Sequence, residues 1–423
     1  MSVMLLNAHY DTPKLSKTLM IGQKYKELTE AGRKIANLGI GQSPFPVPDI
    51  LQQSLARNTH QADYQHIAGL PTLRQNVAKF YKRYLNQPDL TKDDVIVTAG
   101  SKMSYYAFFS ILKNNFIIPQ PSWVSYIDQA NSLNHSYTTV KTYQQTDWKL
   151  TPHHLISQLT KAELTNAVII FNNPTNPTGI SYTPQELKEL ANLFKTYNIT
   201  VLADEVYWLL NNSYDPHYSI AHYLPSQTIF ISSVSKYLSA AGWRLGYIIL
   251  PPTPKYTPLK KALHLFNSNT ISSVSAPIQY AVAAAYQNLT QTHSPLRSEL
   301  QLINNILKRV ATKCYKILKS ASPHIEISQP TGAYYLFITF PYVNNDTDPA
   351  EELLEKHDVL TVSGEVFGAP KNTVRASYLN FDGQKFFNIS KTQKPTNNLI
   401  DEICEQTFTA FQKIAKYAIS NSL

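Results

Sequence analysis

The stretch from Ala167 to Ala203 constrains the fold most. Val168 to Phe171 is a short, wholly apolar run, the pattern of a strand buried on both faces of a parallel sheet. Thr183, Pro184 and Glu186 follow with a capping box and a proline in the first turn of a helix. Leu187, Leu190, Ala191 and Phe194 give that helix one apolar face. Thr200 to Ala203 reads as the next strand, completing a β-α-β crossover. Thr228 to Ile231 and Gly246 to Leu250 read as further strands of the same sheet. Strands alternating with helices predict an α/β architecture with a mostly parallel sheet flanked by helices.

The flanking chain fits around this unit. A helix is expected near Lys24 to Arg33, then turn chemistry through Asn37 to Pro48 (NLGIGQSPFPVP). Leu73, Val77, Phe80, Tyr81 and Tyr84 recur at amphipathic-helix spacing after Leu70. A strand over Asp94 to Thr98 is broken by Gly100, and a helix runs from Ser101 to Leu112. Toward the C-terminus, Glu326 to Phe340 alternates and carries turns. A long amphipathic helix bearing Ile400, Ile403, Phe408, Phe411 and Ile414 closes the chain. These patterns predict a large α/β domain over residues 50–300 and a smaller α+β domain over 301–423. Residues 1–49 supply an N-terminal arm and part of the small domain.

Composition narrows the class. Apolar residues at 43% and charged residues at 16% describe a globular chain with a sizeable core. The 38 Lys and Arg exceed the 29 Asp and Glu, giving a formal charge of +9. The positives are scattered, which suits anionic small ligands rather than nucleic acid or a membrane surface. Two cysteines, Cys314 and Cys404, make neither a disulfide framework nor metal-ligand spacing, and no metal site is expected. The N-terminal MSVMLLNAHYD shows no leader pattern, and no apolar run approaches the roughly 18 residues of a membrane span. A cytoplasmic protein is expected. The 27 tyrosines have no functional explanation in composition alone.

Five features fall at the carboxyl ends of the expected strands, where ligands bind in open α/β sheets. Gly100-Ser101-Lys102 opens a helix whose backbone N–H groups suit a phosphate, although such turns are common. Trp123 offers an indole that either stacks on a flat heterocycle or fills the core. In NNPTNPTG (Asn172 to Gly179) two prolines fix the backbone around Asn176, whose amide is left to point one way. In ADEVY, a carboxylate at Asp204 is costly to bury unless it meets a cation, and Tyr207 carries a hydroxyl beside it. In SSVSKYLSAAGWRLGY, Lys236 among small residues is an amine suited to a Schiff base. Arg244 follows with the planar donor geometry that a phosphate favours.

Asn176, Asp204, Tyr207, Lys236 and Arg244, in this order and these contexts, resemble the pyridoxal 5′-phosphate (PLP) enzymes of fold type I, and more narrowly the class I/II aminotransferases. LGIGQSPFPVP resembles their substrate loop, YQHIAGLPTLR a segment reaching a neighbouring subunit, and VRASY a carboxylate-binding strand. The resemblance implies the PLP-dependent transferase fold, with a seven-stranded-type sheet, and transfer of an α-amino group from an L-amino acid to a 2-oxo acid. By resemblance, Lys236 holds PLP as a Schiff base and, once freed as a neutral amine, moves the α-proton. Asp204 keeps the pyridine nitrogen protonated, Asn176 and Tyr207 hydrogen-bond the ring oxygen, and Trp123 stacks on the ring. Gly100, Ser101, Lys102, Ser233, Ser235 and Arg244 form the phosphate site, and Tyr64 reaches it across a homodimer interface. Arg375 pairs with the substrate α-carboxylate, aided by Gly41, Trp123 and Asn176.

Three stretches depart from the family pattern: NNFIIPQPSW lacks an acidic loop, QSPF replaces an acidic form of the substrate loop, and YLNFDGQKFF is unfamiliar. They bear on the substrate, which the sequence leaves open among acidic, aromatic and methionine-like amino acids. Lys102 resembles a lysine that binds a distal carboxylate in some aspartate or prephenate aminotransferases. Other PLP chemistry, a C–S β-lyase or a PLP-dependent oxidase, is the alternative. A non-enzymatic sensor needs a DNA-binding domain, for which the chain ahead of the substrate loop leaves no room.

Overall fold

The computed structural model describes residues 17–210, 218–344, 346–390 and 395–422. The MSVMLLNAHYD segment lies outside them. Seven strands form the main sheet: β1 (Val95–Thr98), β2 (Phe116–Gln120), β3 (Tyr137–Lys141), β4 (Val168–Asn172), β5 (Thr200–Asp204), β6 (Thr228–Ser233) and β7 (Gly246–Ile249). Their order is β1-β7-β6-β5-β4-β2-β3. Only β7 runs antiparallel to its neighbours. The Val234–Leu245 link into it holds no crossover helix, so the chain turns back instead of crossing over.

Residues on β4 alternate between two apolar layers, Val168 and Ile170 on one side, Ile169 and Phe171 on the other. Both faces are covered, as the uninterrupted apolar run requires. The capping box forms as read: Glu186 N–H donates to Thr183 Oγ1 at 3.2 Å, and Thr183 N–H to Glu186 Oε2 at 2.7 Å. The helix that follows, Pro184–Thr196, buries Leu187, Leu190, Ala191 and Phe194.

A four-stranded sheet lies in the C-terminal third: β8 (Glu326–Ile327), β9 (Tyr335–Thr339), β10 (Val362–Ser363) and β11 (Thr373–Ser377), in the order β10-β11-β9-β8 and antiparallel throughout. Ala36–Asn37 pairs with Val359–Leu360, which ties the segment before the substrate loop to this half. A helix over Pro295–Lys319 runs continuously across residue 300. The helix near Lys24 to Arg33 occupies Lys17–Glu30 instead. The single closing helix is two, Asn397–Ile403 and Glu405–Ser420, parted at Cys404, whose ψ of 9° leaves helical geometry. Ile400, Cys404, Phe408, Phe411 and Ile414 all stay buried across the break, so periodicity alone does not reveal it. Among the described residues no helix is long and apolar enough to cross a membrane.

Candidate active site

The carboxyl ends of β1, β2, β4, β5 and β6 converge on a cavity of about 250 Å³. Because β7 is antiparallel, Arg244, just before it, reaches the same edge. Ser101, Lys102, Trp123, Asn176, Asp204, Tyr207, Ser233, Ser235, Lys236 and Arg244 all line this cavity. The backbone of Gly100 sits against the Arg244 guanidinium. Gly41 faces the same space through its carbonyl, and Arg375 borders it through Asn176. Tyr64 does not line this cavity and is 90% exposed.

Asp204 ends β5, in register with Asn172 of β4. Asn172 Nδ2 donates to the Asp204 carbonyl at 2.9 Å, and Asn172 Oδ1 accepts from Asn176 N–H at 2.7 Å. One side chain thus fixes two neighbouring functional groups. The Asp204 carboxylate is 3% exposed and accepts a short hydrogen bond from the Tyr126 hydroxyl. Burial pushes its pKa up to about 6, against the pull of Tyr126. Among the described residues it meets no cation, which marks a place for a cationic partner.

Lys236 follows β6 on a turn that ends at Arg244. Its Nζ donates to the Gly41 carbonyl at 2.5 Å and lies 5.4 Å from the Tyr207 ring centroid. Arg244 has φ of 52°, a left-handed conformation uncommon outside glycine. Its Nη1 donates to the Ala241 carbonyl at 2.7 Å. Such local strain of about 1–3 kcal/mol persists where surrounding structure enforces it, and it concentrates at functional sites. Ser233 Oγ is buried with no partner among the described residues.

Arg375 enters from β11 and is 6% exposed. Nη1 donates to Asn176 Oδ1 at 3.0 Å and Nη2 to the Gly39 carbonyl at 2.6 Å. Its guanidinium lies between two rings, 4.4 Å from the Tyr335 centroid and 4.9 Å from that of Phe367. It is buried, and its contact with Asn176 brings it beside the cavity.

Two tyrosines of the site do not follow from the sequence motifs. Tyr126 holds Asp204; its one signal is its place three residues past Trp123, one helical turn away. Tyr335 hydrogen-bonds Tyr207, hydroxyl to hydroxyl, at 2.9 Å, and nothing local marks it. Two of the departing stretches meet each other: Phe45 of QSPF packs on Phe381 and Phe386 of YLNFDGQKFF, with centroids 5.8 and 6.4 Å apart.

Residues 33–383 match the family described as aminotransferase class I and II. The chain belongs to that family. An aspartate aminotransferase of Geobacillus stearothermophilus is 34% identical over 377 residues, covering 86% of this chain and 91% of the relative. Among solved structures, an aspartate aminotransferase of Thermotoga maritima superposes with a TM-score of 0.79 at 25% identity, covering 97% of this chain and 99% of that one. An alanine aminotransferase of Pyrococcus furiosus gives 0.82 at 25% identity over 98% and 100%. This aminotransferase is a PLP-dependent transaminase that acts on amino acid and oxo acid substrates. Its site fits the cofactor: a carboxylate with no cation and a serine hydroxyl with no partner among the described residues, the first for a pyridinium and the second, with an arginine beside a helix N-terminus, for a phosphate, and an amine at the cavity wall.

Proposed function

We propose that Lys236 carries the cofactor and that transamination takes place in the cavity it shares with Asp204 and Arg375. The observation that carries this reading is the convergence of an amine, a buried uncompensated carboxylate and a ring-clamped guanidinium on one cavity. PLP, when bound, supplies an electron sink for the pair left when the substrate α-proton departs. Lys236 Nζ moves that proton, and Asp204 keeps a positive charge on the ring nitrogen. Asn176 and Tyr207 would hydrogen-bond the ring oxygen, and Trp123 would stack on the ring. Ser101, Ser233, Ser235 and Arg244, with the backbone of Gly100 and Lys102, would take the phosphate. Arg375 presents its fork to the α-carboxylate with Gly41, Trp123 and Asn176 beside it.

For the substrate, the reading favours an acidic amino acid, with a 2-oxo acid as acceptor. Lys102 is exposed at the cavity mouth, its Nζ 5.7 Å from the Trp123 centroid, placed for a distal carboxylate. Relatives named as aspartate aminotransferases support this choice. A homodimer is part of the reading, since Tyr64 and Leu265 are left 90% and 62% exposed; an active species sedimenting as a monomer would refute it. The division into residues 1–49, 50–300 and 301–423 is likewise proposed, supported by the pairing of Ala36–Asn37 with Val359–Leu360. A cytoplasmic location is supported by two buried free cysteines.

The test is an absorbance spectrum of protein incubated with PLP, repeated with a panel of amino acids. A band near roughly 420 nm should appear and be lost in Lys236→Ala. An amino acid that bleaches it, and a 2-oxo acid that restores it, identify the substrates. A band that no amino acid converts speaks against transamination, and absence of any band against the site.

A further inference from the structure

We propose that Tyr335 is a positioning residue that links the two working ends of the site, its hydroxyl setting the proton of Tyr207 and its ring setting the plane of Arg375. The proposal rests on the roles given above to Tyr207 and Arg375.

Tyr335 opens β9 and is 1% exposed. It reaches from the four-stranded sheet to the edge of the seven-stranded one. Its hydroxyl meets that of Tyr207 at 2.9 Å, with the rings 6.0 Å apart and nearly perpendicular at 82°. The Arg375 guanidinium lies 4.4 Å over its face, within cation–π range. The same hydroxyl stands so close to Gly41 that a Cβ there would collide with it. Gly41 in turn accepts from Lys236 Nζ at 2.5 Å. One phenol therefore touches the ring-oxygen donor, the carboxylate fork and the loop that receives the lysine.

The pair of hydroxyls carries two protons. One lies between the oxygens and the other is free to point elsewhere. Burial raises the Tyr335 phenol, but the charges of Lys236 and Arg375 and the hydrogen bond with Tyr207 together draw it below the usual tyrosine range. Tyr207 is pushed well above that range by burial and by Tyr335. Either hydroxyl can donate in this pair; in the proposed arrangement Tyr335 gives its proton to Tyr207 Oη. Tyr207, which lines the cavity where Tyr335 does not, keeps a proton to aim into it. A donor that is itself accepting a hydrogen bond donates more strongly. The cofactor's ring oxygen would be the acceptor for this proton.

The two arms separate experimentally in PLP-loaded protein. Tyr335→Phe removes the hydroxyl and keeps the ring; Tyr335→Leu removes both. A donor to a phenolate oxygen favours its ionised form, so weakening it makes the lysine-bound cofactor hold its proton to higher pH. In Tyr335→Phe the midpoint of the pH titration of the cofactor's absorbance should rise by roughly half a unit or more, with the KM for L-aspartate changed less than about threefold. Tyr335→Leu should show the same shift and a KM raised about tenfold or more. Circular dichroism confirms that each variant is folded. The phenylalanine variant titrating like wild type would overturn the hydroxyl arm, and an unchanged KM in a folded leucine variant the ring arm. A wild-type protein that shows no lysine-bound band would instead sink the functional reading itself.

Discussion

Arg375 Nη1 donates to Asn176 Oδ1 at 3.0 Å, joining a strand of the small sheet to the loop that ends β4 of the large one. The contact orients both partners before any ligand arrives. Asn176 is itself fixed through Asn172, and Asn172 through the Asp204 carbonyl. The carboxylate fork and the backbone of Asp204 thus share a chain of hydrogen bonds.

Arg375→Lys keeps the charge and loses the planar fork and its stacking between Tyr335 and Phe367. A lysine at this depth reaches one oxygen of a carboxylate where the fork reaches two. Loss of one charge-assisted bond, worth about 1.5–3 kcal/mol, lowers kcat/KM by about 10- to 100-fold. Steady-state kinetics should place most of that loss in KM, with the same penalty for amino acid and oxo acid, since both carry the α-carboxylate.

Asp204 gives the cofactor-free protein a pH-dependent instability. Its pKa moves from 3.8 to about 6 on folding because burial disfavours the charge. Between those values the native state holds a proton that the unfolded chain has released. Stability therefore falls as pH rises through this window, and the whole penalty is present above it. A shift of about two units corresponds to roughly 3 kcal/mol. Asp204→Asn still accepts from Tyr126 and removes the charge. Without cofactor, its denaturation midpoint should exceed wild type at pH 7 or so, with the gap closing by about pH 4. With PLP the order reverses, because the ring nitrogen then lacks its counter-charge. A cofactor-free variant no more stable than wild type at neutral pH would contradict this account.

Beneath Lys236 lies a closed group of phenols. Tyr247 meets Tyr81 at 2.7 Å, Tyr286 at 2.5 Å and Tyr237 at 3.2 Å, and Tyr237 also bonds Tyr286. All four rings are buried, and burial raises every one of these phenols. Tyr247→Phe takes from Tyr81 the hydroxyl it meets, while Tyr237 and Tyr286 keep each other, at about 1–3 kcal/mol for the group so stranded. Urea denaturation should show a loss in that range. Adding Tyr81→Phe should cost less than its single-variant effect, since the orphaned partner goes with it.

These phenols also show what the sequence conceals. Strand, helix and cap were legible between Ala167 and Ala203 because period and turn chemistry are local. Asp204, Asn176 and Lys236 were legible because each follows a readable strand, and a strand's end is where a sheet exposes its ligands. Tyr126 and Tyr335 were not, since each is one of 27 tyrosines and its role depends on which hydroxyl it meets across the fold. Arg375 was legible only through the resemblance of VRASY to a carboxylate-binding strand, since its pairing with Phe337 on β9 and the two rings around it are non-local. The break at Cys404 escaped for the opposite reason: it leaves the apolar stripe intact.

Gly100 tests the phosphate site through its backbone. It precedes the helix Ser101–Ile111 with φ of 82°, a region glycine enters at little cost. A Cβ at this position would lie 2.6 Å from Arg244 Nη2. Gly100→Ala therefore faces two penalties, a positive-φ, extended-ψ conformation (ψ 161°) essentially confined to glycine and worth about 1–3 kcal/mol, and displacement of the guanidinium. The first lowers stability with or without cofactor. The second matters only when an anion is bound, and losing one charge-assisted bond of about 1.5–3 kcal/mol weakens it by about 10- to 100-fold. Fluorescence titration should show PLP binding weakened by that much, and pyridoxal, which lacks the phosphate, bound nearly as in wild type. Equal losses for the two ligands would place the phosphate away from Gly100 and Arg244.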